Sequence, residues 1–239
     1  SEDVYHLDDS TANVSKSIWS HGHFSGAVLA QFLYVACQAG IFGFFIFYIV
    51  EDVPAIAESM KTSWLLGGES GSVVRDGQRF ISEQGATKLL AYIGFTLFLL
   101  GRFTGAGILN KISAHKVLSF YAAANVVLMI IIVLKLGWIS LIALFLSFFF
   151  MSIMFPTIFA LGIHGLGKKA KLASSFIVMA IMGGALMPKL MGWIADHHGM
   201  SVGFIVPAAC FLVVSLYGSM WSKLSGTKSM LGVDATKGH

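Results

Sequence analysis

Six runs of about twenty apolar residues, set apart by polar breaks, decide the solvent this chain must fold in, because that length spans a bilayer as a helix. They cover about 24–50, 88–109, 117–134, 138–163, 172–195 and 202–221. Strands of a membrane barrel would alternate apolar and polar residues, and the stretches 126–133 and 141–150 do not alternate. The spans are therefore helices. Charged residues make up 12% of the 239, against 56% hydrophobic. A water-soluble domain carries roughly twice that charged share, so the polar cover such a fold needs is replaced by lipid. The net charge of +4 is spread between the runs rather than gathered in a patch, which speaks against nucleic acid as a partner.

The distribution of Lys and Arg predicts orientation. The N-terminal stretch, the loops after the second and fourth runs and the C-terminal tail carry Lys16, Lys111, Lys116, Lys168, Lys169, Lys171, Lys223, Lys228 and Lys237. The opposite side carries Lys61, Arg75, Arg79, Lys88 and Lys135, mostly in one loop that also holds six acids. Both termini are thus expected in the cytoplasm, with residues 1–23 as a cytoplasmic linker, 24–222 as the six-helix domain and 223–239 as a cytoplasmic tail. The long outer loop, about 51–87, reads as a tolerated insertion with Pro54 opening a short added helix. No basic stretch followed by an apolar one precedes the first run, so no signal peptide is expected. A start at Ser1 without Met is what a fragment would show.

The chain repeats itself. The second run ends in Ala106-Gly-Ile-Leu-Asn110-Lys-Ile-Ser113, and the fifth ends in Gly192-Trp-Ile-Ala-Asp196-His-His-Gly199. Each is the second helix of a triplet. Two triplets of odd helix number run in opposite senses, which gives a 3+3 inverted repeat in an all-α membrane fold, the plan of one half of a larger transporter.

Polar side chains within a span are functional candidates. Gln31, Tyr34 and Gln38 share one face of the first helix at spacings of three and four. Carboxamides and an aromatic ring suit a neutral sugar, so these three are expected to line a substrate cavity; bonding to neighbouring helices is the competing role. Asn125 is expected to act between helices, with a place in the substrate site as the other role. In the fourth run Ser147, Ser152 and Thr157 surround Phe155-Pro156, where proline removes a backbone donor; the hydroxyls either satisfy the loosened backbone or line a site. Gly101 and Gly105 allow close helix approach in the second run, as Gly183 and Gly184 do beside Pro188 in the fifth. Arg102 is expected to reach headgroups or a loop at the inner end, and Lys189 to snorkel outward. Cys37 and Cys210 read as small core residues. His21, His23, His197 and His198 read as solvated, and no metal site or cofactor is expected. No Asp or Glu lies in the middle of any run.

The run Phe155-Pro-Thr-Ile-Phe-Ala-Leu-Gly162 with Leu166-Gly167, Ala173-Ser-Ser, Gly183-Gly-Ala, Pro188 and Gly192-Trp-Ile-Ala-Asp196 resembles the fucose permease-like (FHS) family of the major facilitator superfamily. Gln31-x-x-Tyr34-x-x-x-Gln38 looks like that family's seventh helix, and Gly101-Arg-Phe-x-Gly105 like its eighth. The resemblance implies the C-terminal six-helix half of a bacterial inner-membrane symporter. Such a protein imports L-fucose, glucose or galactose with a proton, and its coupling acids belong to the missing N-terminal half. It also sets Asn110 at the position of the superfamily's loop acid, while Asp196 keeps that acid in the second copy. The expected function is therefore proton-linked hexose import by alternating access. Two other readings compete. One is a half-size transporter acting as a homodimer. The other is a membrane-embedded enzyme using His164, Asp196 or His197, which the ~30 Å between the two membrane faces disfavours.

Overall fold

The computed structural model describes residues 17–57 and 71–227. The six spans are Gly22–Asp52, Glu83–Leu109, Ala114–Val133, Trp138–Ile163, Gly167–His198 and Met200–Ser225, each long and apolar enough to cross a membrane. They sit where hydropathy places them, extended by a few residues at most ends. The first stops at Asp52 because Val53 precedes Pro54 and takes an extended conformation. Residues 54–57 are not helical, and the remainder of the added helix expected there lies outside the described residues.

The packing exchanges the two triplets. The first spans of the triplets, one and four, lie against each other, and so do the third spans, three and six. The second span of each triplet leans on the first span of the other: span two on span four, span five on span one. Span three packs on span four as span six packs on span one. This reciprocal pattern is the inverted repeat in three dimensions. Glycine permits the closest of these contacts. A Cβ on Gly101 would stand 2.3 Å from the carbonyl oxygen of Phe149, and one on Gly183 would stand 2.3 Å from that of Phe32. Spans two and five are otherwise peripheral, with 22% of each apolar window buried against 44–61% in the other four.

Each end of the bundle is fastened differently. At the outer end Lys135 Nζ donates to Asp52 Oδ1 at 2.9 Å, while Ser201 donates to Asp52 Oδ2 through both its amide and its hydroxyl. One carboxylate thus ties span one to the turn between spans three and four and to the start of span six. The outer loop contains a hairpin absent from the sequence-based reading. Strand β1 (Ser72–Arg75) pairs antiparallel with β2 (Gln78–Ile81) across Asp76-Gly77, both of positive φ, the backbone that a two-residue hairpin turn requires. Ile81 enters the core beside Val53 and Ile56, and Ile56 N donates to Arg79 O at 2.7 Å. At the inner end Trp221 is fully buried. Its Nε1 donates to Leu161 O at 3.0 Å, and its ring stacks on His115 with centroids 5.4 Å apart. The Tyr217 hydroxyl donates to the carbonyl oxygen of His23, at 3.0 Å. His23 is buried here, contrary to its expected solvation, because the ends of spans one, four and six close over it. His197 and His198 are exposed, as expected.

Candidate functional site

Span four is not continuous. A helix over Trp138–Met151 ends at Ser152, and a second begins at Met154 with Pro156 in its first turn. A break of this kind leaves carbonyls of the last turn in want of donors, which lipid cannot supply. The fully buried Tyr34 donates its hydroxyl to Met151 O at 2.8 Å, and its ring meets Phe155 edge-on with centroids 6.5 Å apart. The local hydroxyls turn back on their own helix. Ser152 Oγ donates to Phe149 O at 2.8 Å, Thr157 Oγ1 to Ile153 O at 2.6 Å, and Ser147 Oγ to Leu144 O at 2.7 Å. The bonds of Ser152 and Thr157 lie at the break, while that of Ser147 lies within the continuous helix before it.

The carboxamides divide. Gln31 and Asn125 are fully enclosed, and neither the oxygen nor the nitrogen of either amide has a hydrogen-bond partner among the described residues. Gln38, two turns along the same face from Gln31, is half-buried. The three residues share one face, and that face stays buried beyond Gln38 at Ile41, Phe45 and Ile49, so the part exposure of Gln38 is local.

Two cations stand at the same depth. Span five runs parallel to span one, with Gly183 against Phe32, Gly184 against Val35 and Ala39, and Met191 over Gly40. Lys189 is therefore level with Gln38, near the middle of span one and nine residues before His198. Arg102 follows Gly101, which is packed on Phe149 and Ser152 at the break of span four, and it lies within electrostatic reach of the Tyr34 hydroxyl. Both cations are exposed. Gly105 packs on Ile153, while Asn110 and Asp196 stand exposed at the ends of spans two and five, the inner end and the outer end respectively. Pro188 lies inside the helix Gly183–His198, a turn beyond the glycine contact with span one. The structure thus gathers Tyr34, Ser152, Gly101 and Arg102 around the break and sets Gln38 and Lys189 level with each other. It leaves Asn110 and Asp196 at opposite ends.

No family model matches the chain. Sequence relatives do. The L-fucose-proton symporter of Escherichia coli K12 is 35% identical over 202 residues, which is 84% of this chain and 40% of that protein. A glucose/galactose transporter of Brucella abortus is 29% identical over 207 residues, 87% of this chain and 44% of its own. Two solved structures match with a TM-score of 0.71 at 35% identity, covering 84% of this chain and 42–43% of theirs. One is the major facilitator superfamily transporter FucP in an outward conformation, and the other is a variant of the Escherichia coli fucose:proton symporter. The chain is thus an all-α membrane domain with the fold of a major facilitator superfamily transporter half. Its resemblance to the fucose permease-like family is borne out by these relatives. The chain spans less than half the length of the proteins it matches.

Proposed function

We propose that this chain is the C-terminal half of a proton-coupled sugar importer, moving L-fucose or a related hexose by alternating access. The observation that carries this reading is the similarity, over most of the chain, to transporters named for fucose and for glucose or galactose. The geometry supports it with polar groups near the middle of span one. Gln38 is half-exposed there, and Tyr34 braces a broken helix against the same face. Gln38 contacts the sugar. Gln31 and Asn125 serve it from one layer further in, where their orphaned amides are free to bond to water or to a hydroxyl when the bundle moves. Ser152 and Thr157 supply hydroxyls to carbonyls at the break, from which they can turn to a substrate hydroxyl, and Gly101, Gly105, Gly183 and Gly184 are the close contacts over which the spans slide. Pro156 and Pro188 mark the points where they bend.

The other participants follow from this reading. The substrate partners are a monosaccharide and a proton, the surrounding partner is the lipid of a bacterial inner membrane, and the structural partner is an N-terminal six-helix half. Residues 1–23 form the cytoplasmic linker to that half, 24–222 the membrane domain, and 223–239 a cytoplasmic tail. No catalytic chemistry and no nucleic acid enter this function.

The test is uptake of radiolabelled L-fucose, glucose and galactose with an external pH electrode, in cells expressing the complete gene. Sugar-dependent alkalinisation that Gln38→Ala weakens by about tenfold or more, the order expected for losing buried polar contacts to a substrate hydroxyl, supports the reading. Uptake unchanged by the substitution removes Gln38 from the site. Failure of every hexose to enter removes the sugar.

A further inference from the structure

Four histidines gather near a tryptophan at the inner end of the bundle, and transport as proposed uses none of them. Trp221, near the end of span six, is fully buried and touches two imidazoles. His115, in the first turn of span three, stacks on it with centroids 5.4 Å apart and planes at 22°. His164, where span four ends, lies against it at 5.5 Å, tilted by 58°. The indole Nε1 donates to Leu161 O, so the same ring also fastens the last turn of span four. His23 brings span one into the cluster. Its Nε2 lies 3.1 Å from His164 O, its carbonyl accepts from Tyr217, and its ring stands 6.0 Å from that of His21. Span six also rests directly on the backbone of span three here, where a Cβ on Gly218 would stand 3.0 Å from His115 O.

His115 is the member left unsatisfied. It is 5% exposed, and its Nδ1 is enclosed with no hydrogen-bond partner among the described residues. A neutral imidazole can carry its proton on the other nitrogen and leave Nδ1 as a bare acceptor. An imidazolium must donate from both nitrogens, and here Nδ1–H finds no acceptor. Charge on the ring also meets only charge of its own sign. Span one brings His21 and His23, span four His164, span six Lys223, and span three Lys116. The turns on either side add Lys111 before span three and Lys168 and Lys169 at the start of span five. Among the described residues the acids, Glu51, Asp52, Asp76, Glu83 and Asp196, all lie toward the outer end. The indole face attracts a cation and recovers part of the cost, but it supplies no acceptor to Nδ1. We propose that His115 is a proton-binding site at the inner end of the domain, and that filling it loosens the clamp that Trp221 holds on spans three and four. Histidine changes charge within the physiological range, so the clamp is closed while His115 is neutral and weakens as pH falls through that range. The arrangement gained is one in which water reaches Nδ1 and the contact between His23 and His164 gives way. The site rests on the proposed orientation only for the compartment whose pH it reads. With that orientation, import that carries protons inward acts back on the domain through His115.

The experiment titrates the purified full-length gene product in detergent from about pH 8 to about pH 5.5, across the range in which histidine changes charge. Tryptophan fluorescence is the first readout, because an imidazolium quenches an indole stacked on it. The titration is run in a Trp193→Phe background, since His197 lies 4.7 Å from that exposed indole and would titrate against it. A fluorescence change centred in this range is expected, kept in His164→Gln and lost in both His115→Phe and Trp221→Phe. His115→Phe preserves a stacked ring that takes no proton, and His115→Gln stands in for it if the phenylalanine variant does not fold. Hydrogen exchange is the second readout. Backbone amides of residues 158–164 and 217–221 are expected to lose about tenfold in protection over the same range, beyond the effect of pH on the chemical rate. That is the ratio for a proton held about ten times more tightly in the loosened arrangement. A titration that survives the loss of His115, or that vanishes in His164→Gln, overturns the site. Protection that stays level while His115 titrates overturns the loosening. Neither readout needs sugar, so a failure of uptake strikes the transport reading and leaves these results to decide the site.

Discussion

At the scale of single residues, the informative groups are the polar ones whose partners are backbone. Tyr34 has spent its hydroxyl on Met151 O, inside a core where the carbonyl has no water to turn to. Tyr34→Phe therefore removes a donor and strands a buried acceptor, a change worth about 1–3 kcal/mol. The expected outcome is a lower melting temperature of the purified full-length protein in detergent, by several degrees, with uptake less affected than by Gln38→Ala. A melting temperature equal to wild type would mean that another donor, such as water, already serves the break. The spacing of Gln31, Tyr34 and Gln38 was readable as a shared face, but the local opening at Gln38 was not, because it depends on how neighbouring spans pack at that level while Ile41 and Phe45 beyond it are buried. For Arg102 and Lys189 the contacts add what spacing alone does not give. Counting residues to a helix end gives depth in an isolated helix, whereas contact with the break of span four and with the middle of span one gives depth in the bundle.

At the scale of elements, hydropathy was sufficient for the six spans and proline for the break, since both effects are local. The hairpin was missed although its signal is also local: Val73 and Val74 precede Arg75-Asp76-Gly77-Gln78, and Asp-Gly is a favoured two-residue turn. A loop scored for length and glycine content hid it. The tie at Asp52 had no local signal at all, because its partners Lys135 and Ser201 lie 83 and 149 residues away. Asp52→Ala should unfasten three spans at once at their outer ends. Its expected effect is a loss of about 2–5 kcal/mol, because Lys135 and the Ser201 amide lose their acceptor in a partly buried place, with the pair's own solvent exposure drawing the value to the lower end. Thermal unfolding followed by tryptophan fluorescence measures it. Lys135→Ala, which removes the exposed partner alone, should cost no more than about 1 kcal/mol.

At the scale of the whole molecule, the charge asymmetry predicts a topology that reporters can test. A fluorescent protein fused after Ser225 should fold and fluoresce in the cytoplasm, and alkaline phosphatase inserted between Asp76 and Gly77 should be active outside. The reverse pattern would invert the orientation. The inverted repeat was legible from its two short sequence echoes, each in the second helix of a triplet.

The reciprocal packing of the triplets has a consequence for how the protein is made. Span two rests on span four and span five on span one, so the main partner of each lies in the other triplet. As the ribosome delivers the chain, the first three spans enter the bilayer with Gly101 and Gly105 facing lipid in place of Phe149 and Ile153, and they must wait there until the later spans arrive. The nascent triplet is therefore a client for whatever holds helices at the insertion site. A gene split at the turn between Lys135 and Trp138 should yield two pieces that are degraded when made singly and assemble when made together.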